Sequence, residues 1–231
     1  MANIAIIPAR GGSKRIPRKN VKYFLGKPII GYSIEVAVNS GLFDEVMVST
    51  DDAEIAEIAK SFGAIVPFLR SEKASDDYAT TADVISEVLQ SFKEVGKEFE
   101  IGCCIYPTAP FVRAENLKES ISLLKSNSFD TVFPVVGYSY PIQRAIKIDD
   151  EKKMSLFYEE HKNARSQDLE PSYHDAGQFY TFNAEKFVVD KELWTENTGV
   201  IILDELEVQD IDTLTDWKLA EIKYELIQNA K

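Results

Sequence analysis

Short apolar runs alternate with segments of helical spacing through the first part of the chain. The apolar runs predict buried strands at residues 3–8, 45–49, 64–68, 99–105 and 131–136. Between them, helix-starting residues, apolar positions three or four apart and closing glycines predict helices at residues 28–39, 53–62, 80–92 and 113–125. Strands that alternate with helices pair in parallel through right-handed crossovers. The pattern therefore predicts an α/β protein with a doubly wound, mostly parallel sheet.

The alternation stops at residues 137–172, where the sequence becomes polar and irregular. Two short strand candidates in this stretch, residues 144–148 and 154–158, predict a projecting lobe rather than another layer of the sheet. Beyond it, the pattern predicts strands at residues 178–182, 200–203 and 207–211 and a last helix at residues 213–228. With no repeats and no linker, residues 1–231 are expected to form one domain that carries residues 137–172 as an inserted lobe.

Charge is distributed unevenly along the chain. The protein has 26 Lys and Arg against 38 Asp and Glu, for a formal net charge of -12, yet its first 34 residues hold seven basic side chains and no acidic one. Most of these cations follow the first predicted strand, in residues 10–20, among glycines that allow close backbone approach. This segment predicts a loop that binds a polyanion. The acidic remainder argues against a nucleic-acid partner, which needs a broad basic surface.

The expected location is the cytoplasm. No apolar stretch approaches the roughly 20 residues of a membrane span, and the first strand begins without the regions of a signal peptide. Cys103 and Cys104 are neighbours within a predicted strand, so their side chains should point to opposite faces and pack in the core. No membrane contact and no disulfide are expected.

Glycine-rich loops after a first strand have several uses, and two common ones do not fit here. The dinucleotide fingerprint needs G-x-G-x-x-G, and the Walker loop needs G-x-x-x-x-G-K-[ST]; Gly11-Gly12-Ser13 satisfies neither. A nicotinamide dehydrogenase is therefore disfavoured although it shares the layered architecture. A solvated basic turn remains the plain alternative to an anion site.

The run from Ile6 to Lys14, followed by Pro17 and Lys19-Asn20, resembles the signature of the acylneuraminate (sialic acid-type) cytidylyltransferases. Residues 48–52, residues 68–70 with 75–76, and residues 106–110 are similar to further motifs of that family in the same order. The family joins CTP to a nonulosonic acid and releases pyrophosphate. Residues 165–169 and 173–180 resemble the bacterial pseudaminic acid branch, whereas Tyr106 and Ala176 stand where sialic acid enzymes usually carry Gln and Asn. Activation of N-acetylneuraminate or legionaminate is the alternative within the family.

The resemblance implies two sets of binding residues. The nucleotide set comprises Ala9, Arg10, Gly11, Gly12, Ser13, Lys14, Lys19, Asn20, Arg70, Ser75 and Asp76. The sugar set comprises Tyr106, Gln143, Arg144, Arg165, Gln167, Asp168, His174, Gln178 and Tyr180. Within the second set, His174 has a packing role as its alternative, and the arginines could instead serve solubility or subunit pairing.

Asp210 and Asp212 are the expected metal ligands. On a short strand, residues two apart point the same way, so their carboxylates would meet at one point, where Mg²⁺ could bind together with substrate phosphates. The alternative is that Asp212 merely starts the last helix. With Arg10 and Lys19, the two aspartates form the expected catalytic set.

One rival of a different class is a non-catalytic nucleotide-binding regulator, which would keep the basic loop but need no metal pair. The resemblance also implies a homodimer in which the lobe reaches the neighbouring subunit. Aromatic residues in the lobe, among them Tyr138, Tyr140, Phe157 and Tyr158, suit such an interface.

Overall fold

The computed structural model describes residues 2–76 and 78–229. Its strands are β1 (Ala2–Pro8), β2 (Tyr23–Phe24), β3 (Lys27–Pro28), β4 (Glu45–Ser49), β5 (Phe99–Ile105), β6 (Thr131–Gly137), β7 (Ile146–Ile148), β8 (Met154–Leu156), β9 (Tyr173–Asp175), β10 (Phe179–Asn183) and β11 (Thr198–Leu203). Its α-helices are α1 (Ile29–Ser40), α2 (Ala53–Ser61), α3 (Glu72–Ser75), α4 (Thr81–Glu94), α5 (Ala114–Asn127), α6 (Ala184–Asp190) and α7 (Leu214–Asn229).

Within the described residues, seven strands form the main sheet, in the order β11-β6-β10-β5-β1-β4 with β9 added beside β6. Strand β1 pairs in parallel with both β4 and β5, and β11 pairs in parallel with β6. Strand β10 is antiparallel to β5 and to β6, so those two run in the same direction, and β9 is antiparallel to β6. The expectation of an α/β fold with a mostly parallel sheet is confirmed.

Helices cover both faces of the sheet. Buried residues of α1, α2 and α5 pack on one face, and those of α4 and α6 pack on the other. The free thiols of Cys103 and Cys104 are fully buried in these two opposite clusters, as their adjacent places on β5 predict. Gly102 on the same strand lies so close to Phe182 of β10 that a Cβ atom there would be 2.2 Å from the ring.

A separate aromatic cluster joins the last helix to the segment after the basic loop. Phe24 makes edge-on contacts with Tyr32, Trp217 and Tyr224 at ring-centroid distances of 5.5, 5.6 and 5.7 Å. Ile211, just before α7, is buried in the same cluster. Burial raises the pKa of the Tyr32 phenol to about 12. Helix α7 is therefore fixed to the N-terminal part of the chain.

Two predicted strands are wrong. In residues 64–68 only Ile65 forms a bridge, to Met47; Pro67 has no N–H to donate to a ladder, and the chain turns so that Arg70 N bonds Thr50 O at 2.8 Å. Residues 207–211 form no strand because the Asp204 side chain caps a 3-10 turn at Glu205–Glu207, after which the chain stays irregular.

The lobe contains its own small sheet, in which β7 pairs with β8. Both strands are shorter than predicted, and several large apolar side chains on the lobe are exposed: Tyr140, Ile148, Met154 and Phe157. The neck of the lobe is closed by Tyr138 N, which donates to Ser172 O at 2.9 Å. Among the described helices, none is long and apolar enough to cross a membrane.

Candidate active site

A cleft of about 440 Å³ lies where β1, β4 and β5 end, at the carboxyl edge of the parallel part of the sheet. Of the predicted residues, the cleft brings together Arg10, Ser13, Lys14, Lys19, Asn20, Arg70 and Tyr106. Residues that were not predicted also line it: Pro8, Arg15, Ala79, Thr80, Thr81, Val84, Pro107 and Thr108. The cationic loop thus forms one wall of a pocket whose opposite wall begins at α4.

Hydrogen bonds from neighbouring strand ends hold the basic loop in place. Ala9 N donates to Ser49 O at 2.9 Å, and buried Asn20 donates its amide to Arg10 O at 2.9 Å. Gly11 N donates to a carboxylate oxygen of Asp51 at 2.9 Å. A Cβ atom on Gly11 would lie 2.6 Å from the Asp52 carboxylate, so a side chain there would displace Asp52. No atom within 4 Å would oppose a Cβ atom on Gly12.

The cations of the loop point in different directions. Arg18, in the left-handed conformation with φ 55°, turns away from the cleft to pair with Asp52 and Glu54. The hydrogen bond from Arg18 holds the pKa of the Asp52 carboxyl below its usual value, and Asp52 also caps helix α2. Lys14 and Lys19 line the cleft instead. Charge in the loop therefore serves both the fold and the pocket.

Arg70 is a buried cation at the wall of the cleft. Its guanidinium donates to Ser49 Oγ at 3.0 Å and to Ser49 O at 2.5 Å, and burial lowers its pKa. The predicted neighbours Ser75 and Asp76 are not among the lining residues. Ser75 Oγ bonds Ser71 O, and the Asp76 carboxylate accepts from Tyr78 N and Ala79 N, although Asp76 O accepts from Arg10 at 3.3 Å. These two residues shape the loop beside the cleft.

Thr80 and Thr81 line the cleft, although neither was predicted as a site residue. Thr80 and Asp83 form a reciprocal capping box at the start of α4, and the hydrogen bonds from Thr80 lower the pKa of Asp83. The T-x-x-D pattern is readable in the sequence. A helix that begins at the carboxyl edge of a sheet directs its first N–H groups toward anions. The T-x-x-D pattern could therefore have predicted that Thr80 and Thr81 lie at the cleft.

The two predicted metal ligands lie next to the cleft on the irregular segment before α7. Lys19 Nζ donates to Ile211 O at 2.6 Å and lies 3.7 Å from Asp212 Oδ1. Asp212 also pairs with Arg15 at 2.6 Å. Burial, followed by the charge of Asp212, raises the pKa of Asp210. Lys19 thus connects the cleft with the carboxylate pair.

This donor set fits Mg²⁺. Carboxylate oxygens are the ligands that Mg²⁺ prefers, and the ion usually retains waters and takes phosphate oxygens in addition to one or two carboxylates. Within residues 2–76 and 78–229, no group of three His, Cys, Asp or Glu side chains forms a protein-only metal cage. Burial and then the charge of Asp212 raise the pKa of Asp210, and a bound cation would offset both because it favours the ionised carboxylate.

Three of the predicted sugar-binding residues lie at or behind the inner wall of the cleft. The hydroxyl of Tyr106 is 3.3 Å from Thr81 Oγ1, and its ring packs 5.7 Å from that of Tyr180. Tyr180 donates its hydroxyl to Asp175, and burial raises the pKa of both phenols. Gln178 is buried and donates to Glu207 O at 2.6 Å, whereas its Oε1 has no partner.

The remaining sugar-set residues do not line this cleft. Arg165 pairs with Asp168 at 2.7 Å, Arg144 contacts Ser166 Oγ at 3.4 Å, and Gln143 donates to Glu170 O at 2.9 Å, all within the lobe. A separate lobe pocket of about 380 Å³ contains Gln167. The ring of His174 packs 4.8 Å from that of Tyr138 in a third pocket of about 370 Å³.

A layered α/β fold, a cationic cleft at the carboxyl edge of its sheet and an adjacent carboxylate pair define a protein of the nucleotidyltransferase class. Residues 4–221 match the family described as cytidylyltransferase. The chain belongs to the cytidylyltransferase family.

Two relatives are similar over nearly their whole length. The pseudaminic acid cytidylyltransferase of Campylobacter jejuni is 42% identical over 226 residues, which are 98% of this chain and 97% of that one. The CMP-N,N'-diacetyllegionaminic acid synthase of Legionella pneumophila is 33% identical, over 100% of this chain and 99% of that one. A solved CMP:2-keto-3-deoxy-manno-octonic acid synthetase, complexed with CTP, shares the fold at TM-score 0.69 and 17% identity, over 99% of this chain and 100% of that one.

Proposed function

We propose that this protein transfers the cytidylyl group of CTP to pseudaminic acid, a nonulosonic acid, and releases pyrophosphate. The observation that carries the proposal is Lys19, which lies in the cationic cleft and also contacts the segment that bears Asp210 and Asp212. One side chain therefore joins a site for phosphates to a site for their metal ion. Similarity to the Campylobacter jejuni enzyme supports the choice of sugar.

Each wall of the cleft would bind a different part of the nucleotide. Arg10, Lys14 and Lys19 line the cleft and would hold the triphosphate, and Arg70 and Thr80 would contact the nucleoside. Asp210 and Asp212 would hold Mg²⁺, which when bound polarises the α-phosphate and lowers the pKa of a nearby hydroxyl. The anomeric hydroxyl oxygen of the sugar forms a bond to the α-phosphorus and gives up its proton to solvent, as the bond from that phosphorus to the bridging oxygen breaks and pyrophosphate leaves with the electron pair. The cations neutralise charge on the departing pyrophosphate.

Replacing Lys19 with alanine is expected to lower kcat more than it changes KM for CTP. The reason is that Lys19 faces charge that develops on pyrophosphate and also holds Ile211 O beside the carboxylates. Steady-state kinetics at saturating Mg²⁺ measure the two constants. Lys60→Ala, which removes an exposed cation paired with Glu57 on α2, is the matched control and should behave as wild type. A change confined to KM for CTP would contradict the assignment.

The activity itself is tested by incubating the protein with CTP and each of a panel of nonulosonic acids. Pyrophosphate release is measured, and the CMP-sugar is identified by its mass. Calorimetric titration with CTP and Mg²⁺ separates an enzyme from a nucleotide-binding regulator. Tight CTP binding without pyrophosphate release for any sugar would favour the regulator.

The buried free thiols of Cys103 and Cys104 suit a reducing compartment, and we place the activity in the cytoplasm.

The lobe is proposed to form a homodimer interface. Its exposed apolar side chains have few partners within residues 137–172 to cover them, and Tyr140 is 84% exposed. Aromatic residues of this kind are enriched at interfaces between subunits. The lobe would also carry Arg165 and Gln167 to a neighbouring subunit, which would explain why neither lines the cleft of its own chain.

Deleting the lobe should therefore convert a dimer into a monomer. Residues 139–171 can be replaced by a two-residue Asn-Gly turn, because Tyr138 and Ser172 already face each other across the neck. Light scattering gives the mass of each form. Ile148→Lys changes one exposed position of the lobe, outside the main sheet, and should also weaken the dimer. An unchanged dimer mass after the deletion would refute the role of the lobe.

A further inference from the structure

The segment that carries Asp210 and Asp212 has no ladder of backbone hydrogen bonds to fix it. Residues 208–213 are irregular, and side chains from elsewhere hold their backbone. Lys223 Nζ donates to Val208 O at 2.8 Å, and Lys19 Nζ donates to Ile211 O at 2.6 Å. The positions of the two carboxylates therefore depend on individual side chains, each of which can be changed separately.

Asp216 makes the densest of these contacts. Its Oδ2 atom accepts from Asp212 N at 3.1 Å, from Thr213 N at 2.7 Å and from Thr213 Oγ1 at 2.8 Å. In return, Thr213 Oγ1 accepts from Asp216 N at 3.2 Å. One carboxylate oxygen thus holds the peptide groups on both sides of the Asp212 Cα atom. The backbone from which the Asp212 side chain projects is fixed by this oxygen.

The base of this arrangement is rigid. Asp216 lies in the first turn of α7, next to Trp217, which is buried against Phe24. The indole of Trp217 also donates to Glu221 at 3.0 Å. The helix cannot shift without disturbing the aromatic cluster. Because Asp216 belongs to this helix, its hydrogen bonds hold the backbone of Asp212 at a fixed distance from α7.

We infer that Asp216 is a positioning residue for the metal-binding carboxylates: through the backbone of Asp212 it sets where that side chain meets the ion. The inference rests on the proposed function. A helix cap alone would only stabilise α7, and its loss would be measured in the melting temperature. A positioning residue also changes metal affinity when it is removed, because ligands held in place by their outer partners bind more tightly.

The test is titration of Mn²⁺ into the full-length protein, with free ion measured by electron paramagnetic resonance. Mn²⁺ is a suitable probe because it prefers the same oxygen ligands. Asp216→Ala is expected to raise the dissociation constant for Mn²⁺ about tenfold. Asp216→Asn, which keeps an acceptor oxygen, should fold in any case and give a smaller rise in the same direction. In turnover, both variants should need more Mg²⁺ for half-maximal rate, with KM for CTP unchanged at saturating Mg²⁺.

Two further variants separate the outcomes. Asn183→Ala removes a cap of similar type, the side-chain oxygen that accepts from Lys186 N at 3.0 Å on α6; it should lower the melting temperature and leave Mn²⁺ binding alone. Asp212→Asn should abolish Mn²⁺ binding. Wild-type affinity in both Asp216 variants, with binding lost in Asp212→Asn, overturns the role of Asp216. Wild-type affinity in Asp212→Asn overturns the metal site of the proposed function and this inference with it.

Discussion

Asp212→Asn is expected to reduce turnover by more than about 100-fold while the protein remains folded. An amide oxygen is a weaker ligand for Mg²⁺ than a carboxylate, so the attacking hydroxyl would lose the lowered pKa on which the reaction depends. Turnover is measured at saturating CTP and sugar over a range of Mg²⁺ concentrations. Near-normal turnover at saturating Mg²⁺ would show that Asp212 is not a metal ligand.

The fold should survive this substitution because the contacts that it removes are partly exposed. The Asp212 side chain is 35% exposed, and its partner Arg15 is 69% exposed, so their ion pair contributes little to the free energy of unfolding. The backbone N–H of residue 212 keeps its bond to Asp216. An unchanged melting temperature would assign the loss of turnover to chemistry; a large fall would require the comparison to be repeated with Asp210→Asn.

The second large effect concerns the sugar. We expect a kcat/KM for pseudaminic acid that exceeds the value for N-acetylneuraminic acid by a factor of roughly 10⁴. Tyr106 lines the cleft at the position where the resemblance to sialic acid enzymes implies Gln. A substrate group that lacked the amide partner would stay unpaired in a buried place. Such an unpaired polar group changes the ratio of the two kcat/KM values more than a difference in pocket size does. The measurement is kcat/KM for both sugars at fixed CTP and Mg²⁺.

The structure identifies the matched variants for this comparison. Tyr106→Gln introduces an amide and should lower the ratio of kcat/KM for pseudaminic acid to kcat/KM for N-acetylneuraminic acid. Tyr106→Phe keeps the ring packed 5.7 Å from Tyr180 and removes only the hydroxyl near Thr81. If the hydroxyl selects the sugar, the Phe variant loses discrimination; if ring shape selects it, discrimination stays. Equal kcat/KM values for both sugars in the wild type would leave the family assignment intact and contradict the choice of branch.

Much of the fold was predictable because buried strands and helix faces require apolar residues at regular positions in the sequence. Strand β5 was predicted with its observed limits, since a strand covered on both faces is apolar over most of its length. Strand β9 was not predicted because its residues, Tyr173 to Asp175, are polar and partly exposed beside β6. Helix α6 was also missed, although Asn183 is a readable cap. Both elements are too short for the alternation of apolar and polar residues to repeat often enough to identify a strand or a helix.

The site was predictable where chemistry is local in sequence. The basic loop carries Arg10, Lys14 and Lys19 within a few residues, and the structure places all three at one cleft. The carboxylate pair was predicted on a strand and lies instead on an irregular segment. Burial, together with the nearby charge of Asp212, still raises the pKa of Asp210 there. The contact between Lys19 and Ile211 joins residues 192 positions apart, and only the folded chain shows it.

The placement of β10 determines when the sheet can be completed. Strand β5 uses one edge for β1 and needs β10 for the other, and β6 is bordered by β10 and β11 in the main sheet order, so both strands wait for segments synthesised later. On the ribosome, the polypeptide therefore has the whole basic loop long before residue 183 emerges to close the open edge of β5. A nascent chain stalled before that point would expose an unpaired apolar strand, which is a surface that chaperones bind and that aggregates form from.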